Sequence, residues 1–401
     1  MNLINYHKMK FLRLAFYVLI AQLVLSGCAG EGVEETSSSS ASSSSEITFD
    51  AYVGRNASTR SGVNDIDFLR QDTSIWNAGF GVFARYNHTD GTTITSLMDT
   101  ERVFWNKDQS PNHWDYKNTR FWPSAGTVDF YAFAPYNGSV RMVKLPDNLA
   151  DVNKPDSKDE TYIWFPSNMN PVDLLWANAF KQTMANNSGE KKVEFTFNHA
   201  TARFGFDITA PELLENSAVI TVENVKLYCV SNNVNIGVFD MVGYLNLKTG
   251  GWKVVNDEKT RWYYSWTPHG NDGENLGGYK EGEGPELKIT GEKLSNPKDK
   301  ITNSPKSFIF IIPQEIPHPD KNDPGKKAKE DFYLEITYTV KQGDFAEKLT
   351  AKKNLLKVLN PSGTSFTFEK GKAYTFHLKL SLDPVNFSVT ADVNPWGKDD
   401  Q

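Results

Sequence analysis

The chain has 401 residues, a formal net charge of −6, 39% hydrophobic and 13% aromatic content, and two cysteines. No lysine- or arginine-rich run accompanies that mild acidity, which excludes a nucleic-acid binder working by phosphate neutralisation. Two cysteines also exclude a disulfide-stapled scaffold, so the fold must rest on its apolar cores.

The first segment is a targeting signal. Lys8, Lys10 and Arg13 precede Leu14 to Leu25, which is apolar except for Gln22, and the small residues Ser26 and Gly27 follow. A basic start, a short apolar core and a small-residue cleavage site make a secretory signal; a membrane span needs ~20 apolar residues. Leu25-Ser26-Gly27-Cys28 reads as the lipobox of a bacterial lipoprotein. Residues 1–27 are then removed, the Cys28 thiol takes a diacylglycerol, and the new amine can be acylated, for example with palmitate. Two or three chains at ~0.8 kcal/mol per buried methylene make a firm outer-membrane anchor. The bland alternative is a plain signal peptide with an incidental cysteine. With Cys28 lipidated, Cys229 has no internal partner. Residues 28–45 carry Glu31, Glu34, Glu35 and two serine runs, Ser37 to Ser40 and Ser42 to Ser45. Such a stretch buries nothing and serves as a tether. Its acidic cluster is either a surface-export mark or simply a solvated linker.

Beyond the tether, roughly 355 residues suit two domains of ordinary size. Apolar/polar alternation predicts strands almost throughout. It runs through Ile47 to Val53, Gly81 to Tyr86 and Val128 to Ala134, then Thr161 to Phe165, Leu174 to Ala177 and Val193 to Asn198, and on to Phe204 to Ile208. Helical periodicity is nearly absent, and Pro211 limits the best candidate, Asp207 to Ala218, to a turn. The second half continues with Ile220 to Val230, a hairpin over Tyr244 to Val255 and an aromatic strand from Trp262 to Trp266. The apolar run Ser307 to Pro313 reads as a central strand buried on both faces. Asn271 to Pro305 reads as a long surface loop around one short strand, Glu286 to Ile289. Phe332 to Val340 alternates, and two further strands, Tyr374 to Leu382 and Val385 to Val393, end the chain. The fold class is therefore all-β, as two antiparallel β-sandwiches over 46–212 and 213–401.

No catalytic constellation emerges, so the chain reads as non-enzymatic. His88, His113, His199, His269, His318 and His377 are scattered without metal-ligand spacing. No metal site and no cofactor are expected, and His318 in Pro317-His318-Pro319 reads as a loop residue. Two aromatic clusters, Trp105/Trp114/Tyr116/Trp122 and Trp262/Tyr263/Tyr264/Trp266, could stack on sugars, although core packing explains such clusters more often.

Several segments together resemble the fimbrillin family, the lipoprotein precursors of type V pili. After the lipobox come the opening strand Ile47 to Val53 and Ser58-Thr59-Arg60-Ser61, similar to the family's Thr-Arg element. Trp114-Asp115-Tyr116, Trp122-Pro123 and Val128 to Pro135 look like its W-x-Y, W-P and D-F-Y-A-Y-A-P elements. Asp173 to Ala177 matches D-L-L-Y-A with Trp176 in place of Tyr. Phe197 to Phe204 resembles F-x-H-x-L-S-K-[IL], departing at Thr201, Ala202 and Arg203. Gly371 to Phe376 and Val393-Asn394-Pro395-Trp396 complete a likeness reaching from Cys28 to Trp396.

The resemblance implies two tandem transthyretin-like domains and a role as a structural or adhesive subunit of a cell-surface fimbrium. It implies an arginine-specific protease that removes the lipidated segment and first strand, here Ile47, Phe49, Ala51 and Val53. The cut would follow Arg60, which lies among small residues, or else Arg55 or Arg70. A strand from a neighbouring subunit would fill the opened groove. The candidate donor is Val385, Phe387, Val389, Ala391 and Val393, which is otherwise the last strand of its own domain. The partners implied are other fimbrial subunits and membrane lipid, with a host glycan or protein as adhesion ligand and no nucleic acid. Stalk, tip, anchor and accessory roles stay open. The alternatives are a monomeric surface lipoprotein that binds glycan or host protein, and a surface hydrolase on a sandwich scaffold. A Cys28→Ala variant is expected to lose labelling by a fatty-acid analogue and retention at the outer membrane; unchanged labelling would refute the lipoprotein assignment.

Overall fold

The computed structural model describes residues 45–53, 66–149, 159–166, 172–187, 192–271 and 283–396, apart from short breaks at 73, 76, 213, 215–217, 305–306, 321 and 324. The strands of the first half are β1 (Phe49–Val53), β2 (Phe80–Asn87), β3 (Ile94–Asn106), β4 (His113–Tyr116), β5 (Thr127–Ala134), β6 (Met142–Val143), β7 (Tyr162–Pro166), β8 (Leu175–Gln182) and β9 (Val193–His199). Those of the second half are β10 (Ala202–Thr209), β11 (Ala218–Ser231), β12 (Val234–Ile236), β13 (Val242–Asn246), β14 (Trp252–Val254), β15 (Tyr263–Thr267), β16 (Glu283–Thr290), β17 (Lys293–Leu294), β18 (Lys300–Asn303), β19 (Ile309–Ile311), β20 (Gln314–Ile316), β21 (Glu330–Gln342), β22 (Phe345–Asn354), β23 (Phe366–Phe368), β24 (Lys372–Lys379) and β25 (Ser388–Pro395). Two short helices, α1 (Ile66–Leu69) and α2 (Leu355–Leu359), interrupt them.

A seven-stranded sheet has the order β1-β9-β8-β5-β2-β3-β4. A larger sheet runs β22-β21-β11-β15-β16-β18-β10-β24-β25, with β12 and β17 added on β11 and β19 on β10. A four-stranded sheet, β14-β13-β7-β6, joins segments from both halves, and β20 pairs with β23. The pairing is mostly antiparallel, but β1–β9, β10–β24 and β15–β16 are parallel. Alternation is blind to strand direction, so the sequence carried no sign of these three.

Period two decides what is buried. In β9, Val193, Phe195 and Phe197 point inward while Glu194, Thr196 and Asn198 face solvent. In β5, Phe130, Ala132 and Ala134 join the first core, and the opposite face gives Tyr131 and Phe133 to a third core shared with Leu245 and Leu247. Along β11 the buried positions switch from Ile220 and Val222 to Val225, Leu227 and Cys229. A bulge between Val222 and Asn224 makes that switch, keeping one face of the strand on the largest core.

Several expectations change. Ser307 to Pro313 is not a long central strand: only Ile309–Ile311 pairs, against Ala202 to Phe204. An apolar run records burial, which neighbouring segments supply here without a continuous ladder. Among its described residues the 271–305 region contains three strands, β16, β17 and β18, from which Leu287, Ile289, Leu294 and Ile301 face the core while most neighbours are polar. Strands β3 and β22 escaped notice because most of their side chains are not buried. The two aromatic clusters largely pack: Trp114 lies 5.0 Å from Phe80, Trp122 lies 5.9 Å from Phe130, and Trp266 is fully buried.

His318 is a buried residue of an ionic cluster, which no local pattern announced. Arg261 donates from Nε to Asp240 at 2.7 Å and from Nη1 to Glu330 at 2.8 Å. His318 Nδ1 meets the other Glu330 oxygen at 2.7 Å, and its backbone N–H donates to the same oxygen at 3.0 Å. Gln314 Oε1 accepts from the Asp240 N–H, and Asn256 Oδ1 accepts from Arg261 Nη2. All four charged or titratable side chains are buried, so each needs the others. Burial opposes ionisation of Glu330, but the bonds and charge from His318 and Arg261 outweigh it and hold the carboxyl at about 2. Burial raises Asp240, against the pull of His318 and Arg261. Because the Glu330 value lies below its unfolded value of ~4.3, its contribution is fully present above that pH and is lost as pH falls toward 2. Asp240 acts in the opposite sense over the acid range. Glu330→Gln is expected to cost about 3–5 kcal/mol at pH 7, as an ion pair broken in place, and to flatten the acid limb of stability. Urea denaturation between pH 7 and 2.5 checks this; a variant with unchanged pH dependence would contradict the assignment.

Candidate functional site

The site built by the N-terminal residues is a groove closed by β1. Its inward side chains, Phe49, Ala51 and Val53, and Ile47 just before it are buried in the first core. Phe49 sits among Tyr116, Phe130 and Phe195, with ring centroids at 5.5, 5.8 and 5.8 Å. On one side β1 runs parallel to β9, in register from Phe49↔Val193 to Val53↔Phe197, and the Val193 N–H donates to Thr48 O at 2.8 Å. On the other, only its approach is bonded: Ile47 N–H donates to Arg120 O at 2.9 Å and Trp122 N–H to Ser45 O at 2.8 Å.

Tyr116 makes the closing contact. It extends from β4, at the far end of the sheet order, and its hydroxyl donates to Ile47 O at 2.7 Å while accepting from the Arg120 N–H at 3.1 Å. The sheet therefore bends until its two end strands meet over Phe49. Burial pushes the Tyr116 hydroxyl up to about 12, so it remains a donor across the physiological range.

Cys28, Arg55 and Arg60 lie outside the described residues. Arg70, the remaining candidate processing point, follows α1 and places its guanidinium 4.3 Å from the Trp105 ring centre, so it is packed.

The other candidate strand, β25, is the outer neighbour of β24, paired antiparallel from Lys372↔Pro395 to Lys379↔Ser388. Phe387 and Val389 enter the largest core and Ala391 packs against it. Val385 does not share their face: it lies in a 3₁₀ turn, Pro384–Asn386, 85% exposed, and Val393 is 45% exposed. The strand ends on Trp396, whose ring stacks on His199 at 4.3 Å and on Phe310 at 5.7 Å. Asp173 holds His199 at 2.9 Å, so the end of β25 is fastened beside the end of β9. The family-like segments around His199 and Trp396, far apart in sequence, thus meet in one stack. Nothing local in either segment foretold it.

Among the described residues no group of three or more His, Cys, Asp or Glu side chains is placed to hold a metal ion, and no helix is long and apolar enough to cross a membrane. The first strand thus closes a groove of its own sheet, and the last strand is fastened by an aromatic stack.

Comparison with known proteins gives the family. The family model described as fimbrillin-like matches residues 59–396. A curated relative, fimbrium subunit Fim1C of Phocaeicola vulgatus, is 23% identical over 344 residues, covering 80% of this chain and 83% of the relative. The crystal structure of a fimbrial protein from Bacteroides vulgatus shares the fold at a TM-score of 0.52, with 17% identity over 88% of this chain and 99% of that one. The chain belongs to the fimbrillin-like family.

Proposed function

We propose that this chain is a structural and adhesive subunit of a cell-surface fimbrium, exported as a lipoprotein through Cys28 and joined to its neighbours by strand exchange. The observation that carries this reading is β1: an edge strand whose apolar face is wholly committed to the first core. Burying Ile47, Phe49 and Val53 is worth about 1.5–3 kcal/mol each, which together is comparable with the net stability of a domain. A cut in the following segment therefore does not release the strand unaided. Once the strand leaves, the backbone donors and acceptors of β9 from Val193 to Phe197 lose their partners, and the Phe130–Phe195 wall is opened. A replacement strand with apolar residues at every second position restores both. The proposed cut follows Arg60, with Arg55 as the alternative.

For the donor, the C-terminal strand Val385 to Val393 remains the candidate. To serve, β25 must surrender its ladder with β24, the burial of Phe387 and Val389, and the Trp396 stack. That requirement suits exchange during assembly, when a vacant groove offers equivalent pairing, and disfavours release from the free subunit. The two sandwiches would then form two domains in series, one for each main core.

N-terminal sequencing and intact mass of the protein recovered from the cell surface test the reading. A chain starting at Ser61 without lipid is the expected result; a chain starting at acylated Cys28 would sink strand removal and favour a retained anchor or a monomeric binder. Arg60→Ala is expected to stop fibre growth, and normal fibres from that variant would move the cut to Arg55 or discard it.

A further inference from the structure

We propose that the cleft on the outer face of the seven-stranded sheet, beside the third core, is a binding site for a neutral oligosaccharide. The proposal is independent of how subunits join. The four-stranded sheet covers only part of this face, and where the cover ends a cavity of about 770 Å³ remains. That volume lies within the range of small-ligand sites, ~300–1,000 Å³.

The lining matches the chemistry of a sugar. Tyr131 and Phe180 lie against each other with ring centroids 5.4 Å apart and Met142 beside them, giving an apolar patch. One face of a pyranose ring is a set of C–H groups with positive edges, complementary to the negative face of an aromatic ring. Around this patch stand planar and hydroxyl groups already held in place. Asp129 accepts from Asn87 Nδ2 at 3.0 Å and from the Lys181 N–H at 2.7 Å, and Arg85 Nη1 donates to Ser96 Oγ at 2.8 Å. Thr161 lines the same cavity.

Charge selects the ligand class. The lining has four carboxylates, Asp99, Asp129, Asp159 and Glu160, against three cations, Arg85, Lys181 and Lys248. They are interleaved: Arg85 lies 3.8 Å from Asp99 and Lys248 lies 3.6 Å from Asp159. No single-sign field is left to recruit a sialylated or sulfated chain, whereas sugar hydroxyls, each donor and acceptor, suit both signs.

The backbone here is also unusual. Lys181 adopts φ +54° and Thr100, next to Asp99, φ +56°. For residues with a side chain this region is rarely occupied and costs about 1–3 kcal/mol, strain that tends to gather where side chains are aimed at a ligand. Register shifts flank the cleft on both sides, in β2–β3 between Val82 and Arg85 and in β5–β8 between Val128 and Phe130. Bulges of this kind re-aim side chains, here Arg85 and Asp129.

Titration calorimetry and saturation-transfer NMR on the surface-isolated protein, with lactose, maltotriose and mannotriose as probes and 3′-sialyllactose as the charged control, test the proposal. Saturable binding of at least one neutral probe is expected. Ser96→Trp, which fills the cleft from an exposed position on β3, should weaken it at least ~10-fold with the melting temperature unchanged. Asp99→Ala, on the rim, should weaken it without affecting the fold. No saturable binding of any neutral probe, equal binding by Ser96→Trp, or binding confined to 3′-sialyllactose would overturn it.

Discussion

The pairing of β1 with β9 is the constraint on which the N-terminal half depends. An edge strand's backbone groups need partners, and its apolar side chains need cover. Here a five-residue segment supplies both to β9 and to the aromatic wall of Phe130 and Phe195. Tyr116 then joins the two ends of the sheet by bonding to Ile47 O. The first core is thus completed by a segment that enters from the N-terminus and attaches along one edge. The groove is full in this chain because that one strand fills it.

The C-terminal strand stands in a parallel position with different fastening. Strand β25 also lies at a sheet edge, but its end is held by Trp396 stacked between His199 and Phe310. His199 lies at the end of β9, the strand that β1 covers, and Asp173 orients it. The two candidate exchange strands therefore both connect to β9, one along its edge and one at its end. Aromatic stacking of this kind adds about 0.5–1.5 kcal/mol per pair beyond burial. It adds to the β24 ladder and to the burial of Phe387 and Val389 in holding the last strand.

The second half relies on a different device. Its largest core is apolar, yet Asp240, Arg261, His318 and Glu330 are buried at one end of it. Four groups from separate segments must arrive together, since any one missing leaves a charge without compensation. The cluster thereby ties the start of β21, through Glu330, to the segments before β13 and β15 and after β20. The cleft above the seven-stranded sheet follows a contrary logic: strain and interrupted ladders are tolerated at an open surface, where they place polar groups beside an aromatic floor.

What the sequence by itself determined was local. Period-two alternation located β1, β2, β5, β9, β11 and β21, because a half-buried strand writes its environment at every second residue. It marked Phe195 and Phe197 as core and the glycine-containing turn before Trp252 as a hairpin. The fimbrillin likeness came from ordered motifs and agreed with the family found by comparison. The tertiary structure alone decided the rest. Strands β3 and β22 carry little apolar alternation because most of their side chains escape burial. The parallel direction of β1 on β9 depends on where a distant segment docks. The bulge in β11, the cluster around His318 and the stack on Trp396 each need residues tens of positions apart to converge. Convergence follows from packing of whole sheets, and no short window of sequence contains it.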